Sequence, residues 1–124
     1  MRLLLDADTL LWWREASCRL SSRARDEIAD GQNDIVVSTV TLWEIAIKRG
    51  LGKLNFDDDF EQVIREEDFS LLSISLPHLR AFEHLPAHHR DPFDRLLIAQ
   101  ALAEGIPIAT GDPVFAAYGV QVIW

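Results

Sequence analysis

The stretch DPFDRLLIAQALAEGIPIATGD, residues 91–112, decides the fold, because it reads as a helix passing almost directly into a strand. Asp91 fits an N-cap, Pro92 the first helical position and Gly105 the residue just past a helix end, so a helix is predicted over 92–104. The run IPIAT (106–110) then reads as a strand. Outward from this pair the same alternation recurs. Strands are predicted at RLLLD (2–6), DIVVST (34–39), SLLSI (70–74) and VQVIW (120–124), and helices at 21–30, 40–50, 58–67 and 76–84. Ser21 and Ser75 fit N-caps, and Gly31 falls just past the first of these helices. Most of the strand runs are continuously apolar, the pattern of parallel strands covered on both faces. The expectation is an α/β fold, a three-layer α/β/α sandwich around a mostly parallel sheet. No repeat or linker interrupts the 124 residues, so one domain spanning 1–124 is expected.

Composition narrows the function. No apolar run reaches the roughly 18 to 20 residues of a membrane span. The opening MRLLLDADTLLWW carries two carboxylates where a signal peptide needs an unbroken apolar stretch, so a cytoplasmic protein is expected. The single cysteine, Cys18, excludes an internal disulfide framework and a cysteine-based zinc site. Twelve Lys and Arg stand against twenty Asp and Glu, a net charge of −8, which by itself opposes nucleic acid as a partner. Bound divalent cations or a second chain would have to supply the missing positive charge.

In parallel sheets ligands bind beyond the carboxyl ends of the strands, so chemistry is sought there. Asp6 follows RLLL and Asp112 follows IPIATG, so both are expected at one sheet edge, where they would repel unless a cation lies between them. The alternative is that each caps the element that follows. Glu44 lies in TVTLWEIAIK, a helix with little polar surface, and needs a cation, a raised pKa or a basic partner such as Lys48 one turn later. Asp94 would occupy the third position of its helix, facing the same edge, whereas Asp91 is read first as the cap. His88 and His89 are adjacent in a loop, without the spacing of a zinc site. Trp12, Trp13, Trp43 and Trp124 are read as core and interface packing in preference to base-stacking platforms, with Trp12 and Trp13 as part of a dimer surface. Arg14, Lys48, Arg49, Arg90 and Arg95 lie near the acids in sequence, and Arg14 and Arg90 are the better candidates for contact with a phosphate backbone.

Taken together, LLLDADTLLWW, VSTVTLWEIAIKRGLGKL, HHRDPFDRLLIAQALAEG and IATGDPVFAAYGV resemble a PIN domain of the VapC toxin type, the ribonuclease half of type II toxin–antitoxin pairs. The resemblance covers nearly the whole chain. It implies a four-carboxylate site of Asp6, Glu44, Asp94 and Asp112 holding Mg²⁺ or Mn²⁺, and hydrolysis of RNA phosphodiester bonds. It also implies a homodimer and inhibition by a cognate VapB-type antitoxin. Ser38 and Thr110 match positions where the family often has hydroxyl residues supporting the acids. Asp8 departs from the His or Asn of close relatives and adds a carboxylate beside the site.

Three rivals remain at this level. LLLDADTL also resembles the nucleophile motif of haloacid-dehalogenase-type phosphohydrolases, with Asp6 phosphorylated and Asp8 as acid/base, but TGDPVFAAYG lacks the further acid expected there. A receiver domain would need a phospho-accepting Asp after the third strand and a Lys after the fifth; SISLPHL and IATGD offer neither. An inactive PIN-like binding module is opposed by the presence of all four acids.

Overall fold

A computed structural model describes residues 1–124. Five strands, β1 (Arg2–Leu5), β2 (Asp34–Ser38), β3 (Ser70–Leu72), β4 (Ile108–Ala109) and β5 (Val122–Ile123), form one sheet in the order β3-β2-β1-β4-β5. Every pairing is parallel, with Leu3 opposite Ile35, Leu5 opposite both Val37 and Ala109, and Ala109 opposite Ile123. The predicted strands all exist but are trimmed, β4 and β5 to two residues each, and before β4 Pro107 has no N–H to give to a ladder.

The reason for the unbroken apolar runs is visible in the two cores. Leu3, Leu5, Ile35 and Val37 pack on one face with Leu10 and Leu11 of helix α1 (Ala7–Arg14) and Ala24 and Ile28 of α2 (Ser22–Ala29). Leu4 and Val36, between them in sequence, pack on the other face with Val40 of α3 (Thr39–Gly50) and Leu97, Ile98 and Ala101 of α6 (Pro92–Glu104). Alternate residues feed opposite cores, so both must be apolar. Helices α4 (Phe60–Glu67) and α5 (Leu76–Glu83) complete the layers. The fold is the expected three-layer α/β/α sandwich, with a wholly parallel sheet.

Caps stand where the sequence places them. The Ser21 hydroxyl accepts from the Ala24 N–H at 3.1 Å, and Asp91 Oδ1 accepts from Phe93 and Asp94 at 2.8 and 3.2 Å. Gly105 closes α6 with φ 67°, a conformation glycine adopts without strain. Two elements escape the sequence reading: α1, and a 3₁₀ helix over Pro113–Tyr118.

Candidate active site

The strand order reverses between β1 and β4, with β2 and β3 added on one side and β4 and β5 on the other, and such a switch point opens a crevice at the carboxyl edge of a parallel sheet. Asp6 leaves β1 there and Asp112 lies three residues beyond β4. Each is also the N-cap of the next helix, accepting from Thr9 at 2.9 Å and Val114 at 3.0 Å. The capping reading holds for both, each through one oxygen, while the second oxygen is met by Thr110 in Asp6 and by His89 in Asp112. Glu44 comes from α3 and Asp94 from the first turn of α6. All four acids, with Asp8 and Asp91, line one cavity of about 520 Å³ whose remaining lining is Ala7, Trp12, Arg19, Lys48, Gly111 and Trp124.

Thr110 ties two of the acids together. Its hydroxyl donates to Asp6 Oδ2 at 2.5 Å and accepts from the Asp112 N–H at 3.1 Å. Asp6 is 7% exposed, and burial raises its pKa against the pull of the Thr110 and Thr9 hydrogen bonds, with Asp8 adding a smaller upward push. Asp94 is pushed up to about 7, chiefly by burial and then by the charges of Asp91 and Glu44. Glu44 is 6% exposed; its Oε2 accepts from Lys48 Nζ at 2.8 Å, while Oε1 is buried with no donor at all. The Glu44–Lys48 pair weighed from the sequence thus forms and satisfies half of the carboxylate.

His89, which sequence spacing set aside, stands beside two of the acids. Its Nδ1 accepts from the Asp91 N–H at 3.1 Å, which leaves Nε2 to donate to Asp112 Oδ2 at 2.8 Å, and Asp94 Oδ2 lies 3.2 Å away. Tyr118 fixes the loop by accepting from the His88 and His89 N–H groups at 3.0 and 2.6 Å. Carboxylate oxygens of Asp94 and Asp112 lie within 4.8 Å of each other, close enough to share one ion, and the His89 N–H stands beside both. The acids also fit a hard divalent cation: oxygen donors predominate, and the orphaned Glu44 oxygen is a buried acceptor that a cation would satisfy.

Other expectations are corrected. Ser38 does not support the acids; its hydroxyl caps α3 through the Val40 N–H and donates to Gln100 Oε1 at 2.5 Å, deep between α3 and α6. Arg14 is held by Asp58, Glu66 and Glu67 at 2.8 to 3.2 Å, away from the cavity. Arg49 lies over the Phe60 ring, Arg95 bonds the Pro86 carbonyl and Arg90 is exposed outside the cavity lining. Of the anticipated basic rim only Lys48 reaches the cavity, where Arg19, overlooked in the sequence, joins it. Trp12 and Trp13 are half-buried, with Trp13 Nε1 donating to Glu67 at 2.8 Å; the exposed indole is Trp43, at 56%.

A family model described as PIN domain matches residues 3–121. The chain belongs to the PIN domain family. Among solved structures, this PIN domain is similar to FitAcB from Neisseria gonorrhoeae, at 19% identity and a TM-score of 0.69 over 97% of this chain and 95% of that one. It is also similar to VapBC2 from Rickettsia felis bound to a promoter DNA fragment, at 16% identity and a TM-score of 0.67 over 98% and 97%. VapBC-5 from Mycobacterium tuberculosis, of a toxin–antitoxin family, follows at 20% identity and a TM-score of 0.60 over 98% and 97%. Among curated proteins none matches in sequence. PIN domains are nucleases, which sets the reaction class as phosphodiester hydrolysis. No helix is long and apolar enough to cross a membrane.

Proposed function

We propose that this PIN domain is a Mg²⁺- or Mn²⁺-dependent endoribonuclease and the toxin of a type II toxin–antitoxin pair, acting in the cytoplasm as one domain over residues 1–124. The observation that carries the reading is the convergence of six carboxyl groups on one cavity, among them Glu44, one of whose oxygens is buried without a hydrogen-bond donor. Such a group is costly to bury alone, and a cation resolves it together with the mutual repulsion of its neighbours.

Asp6, Asp94, Asp112 and Glu44 would hold the ion, with Asp8 and Asp91 adding negative charge at the rim. A divalent cation would supply charge neutralisation for the phosphate and a water of lowered pKa as attacking group. The chain's own residues prepare that chemistry. Thr110 keeps an Asp6 oxygen hydrogen-bonded at a fixed distance from Asp112, and His89 holds the Asp112 and Asp94 carboxylates together. Lys48 offsets Glu44 and extends positive charge toward the cavity mouth. The net charge of −8 is consistent with a substrate polyanion only through such local neutralisation.

The likeness to toxin–antitoxin proteins supports a VapB-type antitoxin as partner, and exposed apolar surface supports protein contacts more generally. Trp43, Leu79, Phe82, Pro92, Phe93 and Leu96 line a shallow apolar cleft, a face suited to a homodimer. The test is incubation of the purified protein with a structured RNA pool in Mg²⁺ or Mn²⁺. Cutting that disappears with EDTA and in a folded Asp6→Asn variant supports the proposal; equal cutting by the variant, or none by the parent, refutes it.

A further inference from the structure

The cavity has an apolar wall opposite its acids in chemistry. Three of its twelve lining residues are hydrophobic: Ala7, Trp12 and Trp124. The two indoles, one from α1 and one from the chain end after β5, stand with ring centroids 5.9 Å apart and planes inclined at 52°. Both pack against the core beneath them, and both are half-buried residues lining the cavity.

Trp124 is brought to the site by a glycine. A Cβ on Gly111 would stand 2.9 Å from the Trp124 ring, so only a bare backbone at 111 lets the indole lie against the loop between Thr110 and Asp112. Gly111 has no positive φ, and the requirement is one of space. Arg19 completes this side. It is exposed, and of the two cations lining the cavity it is the one without a carboxylate partner, Lys48 being paired with Glu44.

We infer that Trp12, Trp124 and Arg19 form a subsite for one unpaired nucleotide of the RNA substrate, adjoining the phosphate to be cut. The inference rests on the ribonuclease reading and adds to it how the substrate is held. In a cavity with six carboxyl groups, binding cannot depend on charge alone, whereas a nucleobase presents an uncharged π-face that stacks on indole whatever its identity. Arg19 takes the flanking phosphate. A base inside a duplex has both faces covered by its neighbours, so the subsite selects single-stranded or looped RNA.

The test separates this subsite from the nuclease activity. Once the cut position in a short RNA is mapped, a single abasic nucleotide is placed beside it. The expected result is a fall in kcat/KM of about 5- to 150-fold for the parent protein on the abasic RNA, and a similar fall for Trp124→Ala on intact RNA, with no further loss when the two are combined. Trp124→Phe, which keeps a π-face, recovers most of the rate. Arg19→Ala weakens intact and abasic RNA equally and lowers the salt slope of binding by about one. Binding of a labelled single-stranded hexaribonucleotide is followed by anisotropy on the Asp6→Asn background, apart from cleavage. Equal cutting of intact and abasic RNA by the parent, or a Trp124→Ala loss that is the same on both, overturns the subsite; the abasic comparison needs no variant to fold. Cutting without tryptophan dependence sinks the subsite and leaves the nuclease. Tryptophan-dependent binding without cutting keeps the subsite and sinks the nuclease, and absence of both overturns both.

Discussion

Replacing Thr110 by valine removes one hydroxyl while nearly preserving side-chain shape. That hydroxyl, 1% exposed as a residue, donates to Asp6 Oδ2 and accepts from the Asp112 N–H. Its loss removes a bond to a charged group, about 1.5–3 kcal/mol, and orphans an N–H at about 1–3 kcal/mol. Allowing for local relaxation, a destabilisation of about 3 kcal/mol is expected at pH 8. With a urea slope of roughly 1–3 kcal/mol per M, the midpoint falls by about 1–3 M without a change in slope. The penalty depends on pH in a defined sense. Burial raises the folded Asp6 pKa and the Thr110 bond opposes that rise, so Thr110→Val lifts it further. The cost is present where Asp6 is ionised and shrinks as pH falls below its raised pKa, so the midpoint drop at pH 4 is the smaller one. A drop under about 0.5 kcal/mol, the scale of an ordinary surface change, or an equal drop at both pH values, would refute the reasoning.

Asp94, pushed up to about 7, stabilises the metal-free fold fully below its ordinary 3.8, and that contribution is lost as pH rises through about 7. Unfolding free energies from urea melts without divalent ions should therefore fall from pH 5 to 8 by on the order of 2 kcal/mol after discounting for solvent, Mn²⁺ should offset the fall, and Asp94→Asn should reduce it, leaving the smaller part due to Asp6. Gly111→Ala forces the Trp124 ring aside and should cost about 1–3 kcal/mol, with altered near-UV circular dichroism; an unchanged spectrum and midpoint would contradict the packing. Ser38→Ala removes the α3 cap and leaves Gln100 Oε1 without its donor, for about 2–4 kcal/mol by thermal or urea melts, whereas an effect under about 0.5 kcal/mol would show that the bond contributes little.

Most of the sheet was legible because apolar runs, caps and Gly105 obey local rules. Helix α1 was not: its LLWW run (10–13) is apolar on every side, so it shows no 3.6-residue period, and the packing that makes it helical comes from α3 and the sheet. The 3₁₀ turn after Asp112 is too short to carry a period. The acids were legible from their places after strands and within an apolar helix. His89 was not, since its approach to Asp94 and Asp112 is set by Tyr118, twenty-nine residues away in sequence. Direction of side chains was the other gap. Ser38 turns to Gln100 and Arg14 to three acids around α4, and neither choice is encoded in local spacing.

The central claim, that the carboxylate cluster holds the cation with which RNA is cut, is tested most directly by measuring both on the same sample. Mn²⁺ is titrated by calorimetry into the parent and into Asp6→Asn while cleavage of one defined RNA is followed at each ion concentration. The account predicts that cutting rises in step with occupancy of a site in the parent, and that both are lost in the variant. Undiminished cutting in EDTA, or Mn²⁺ binding of unchanged affinity in Asp6→Asn, would contradict it.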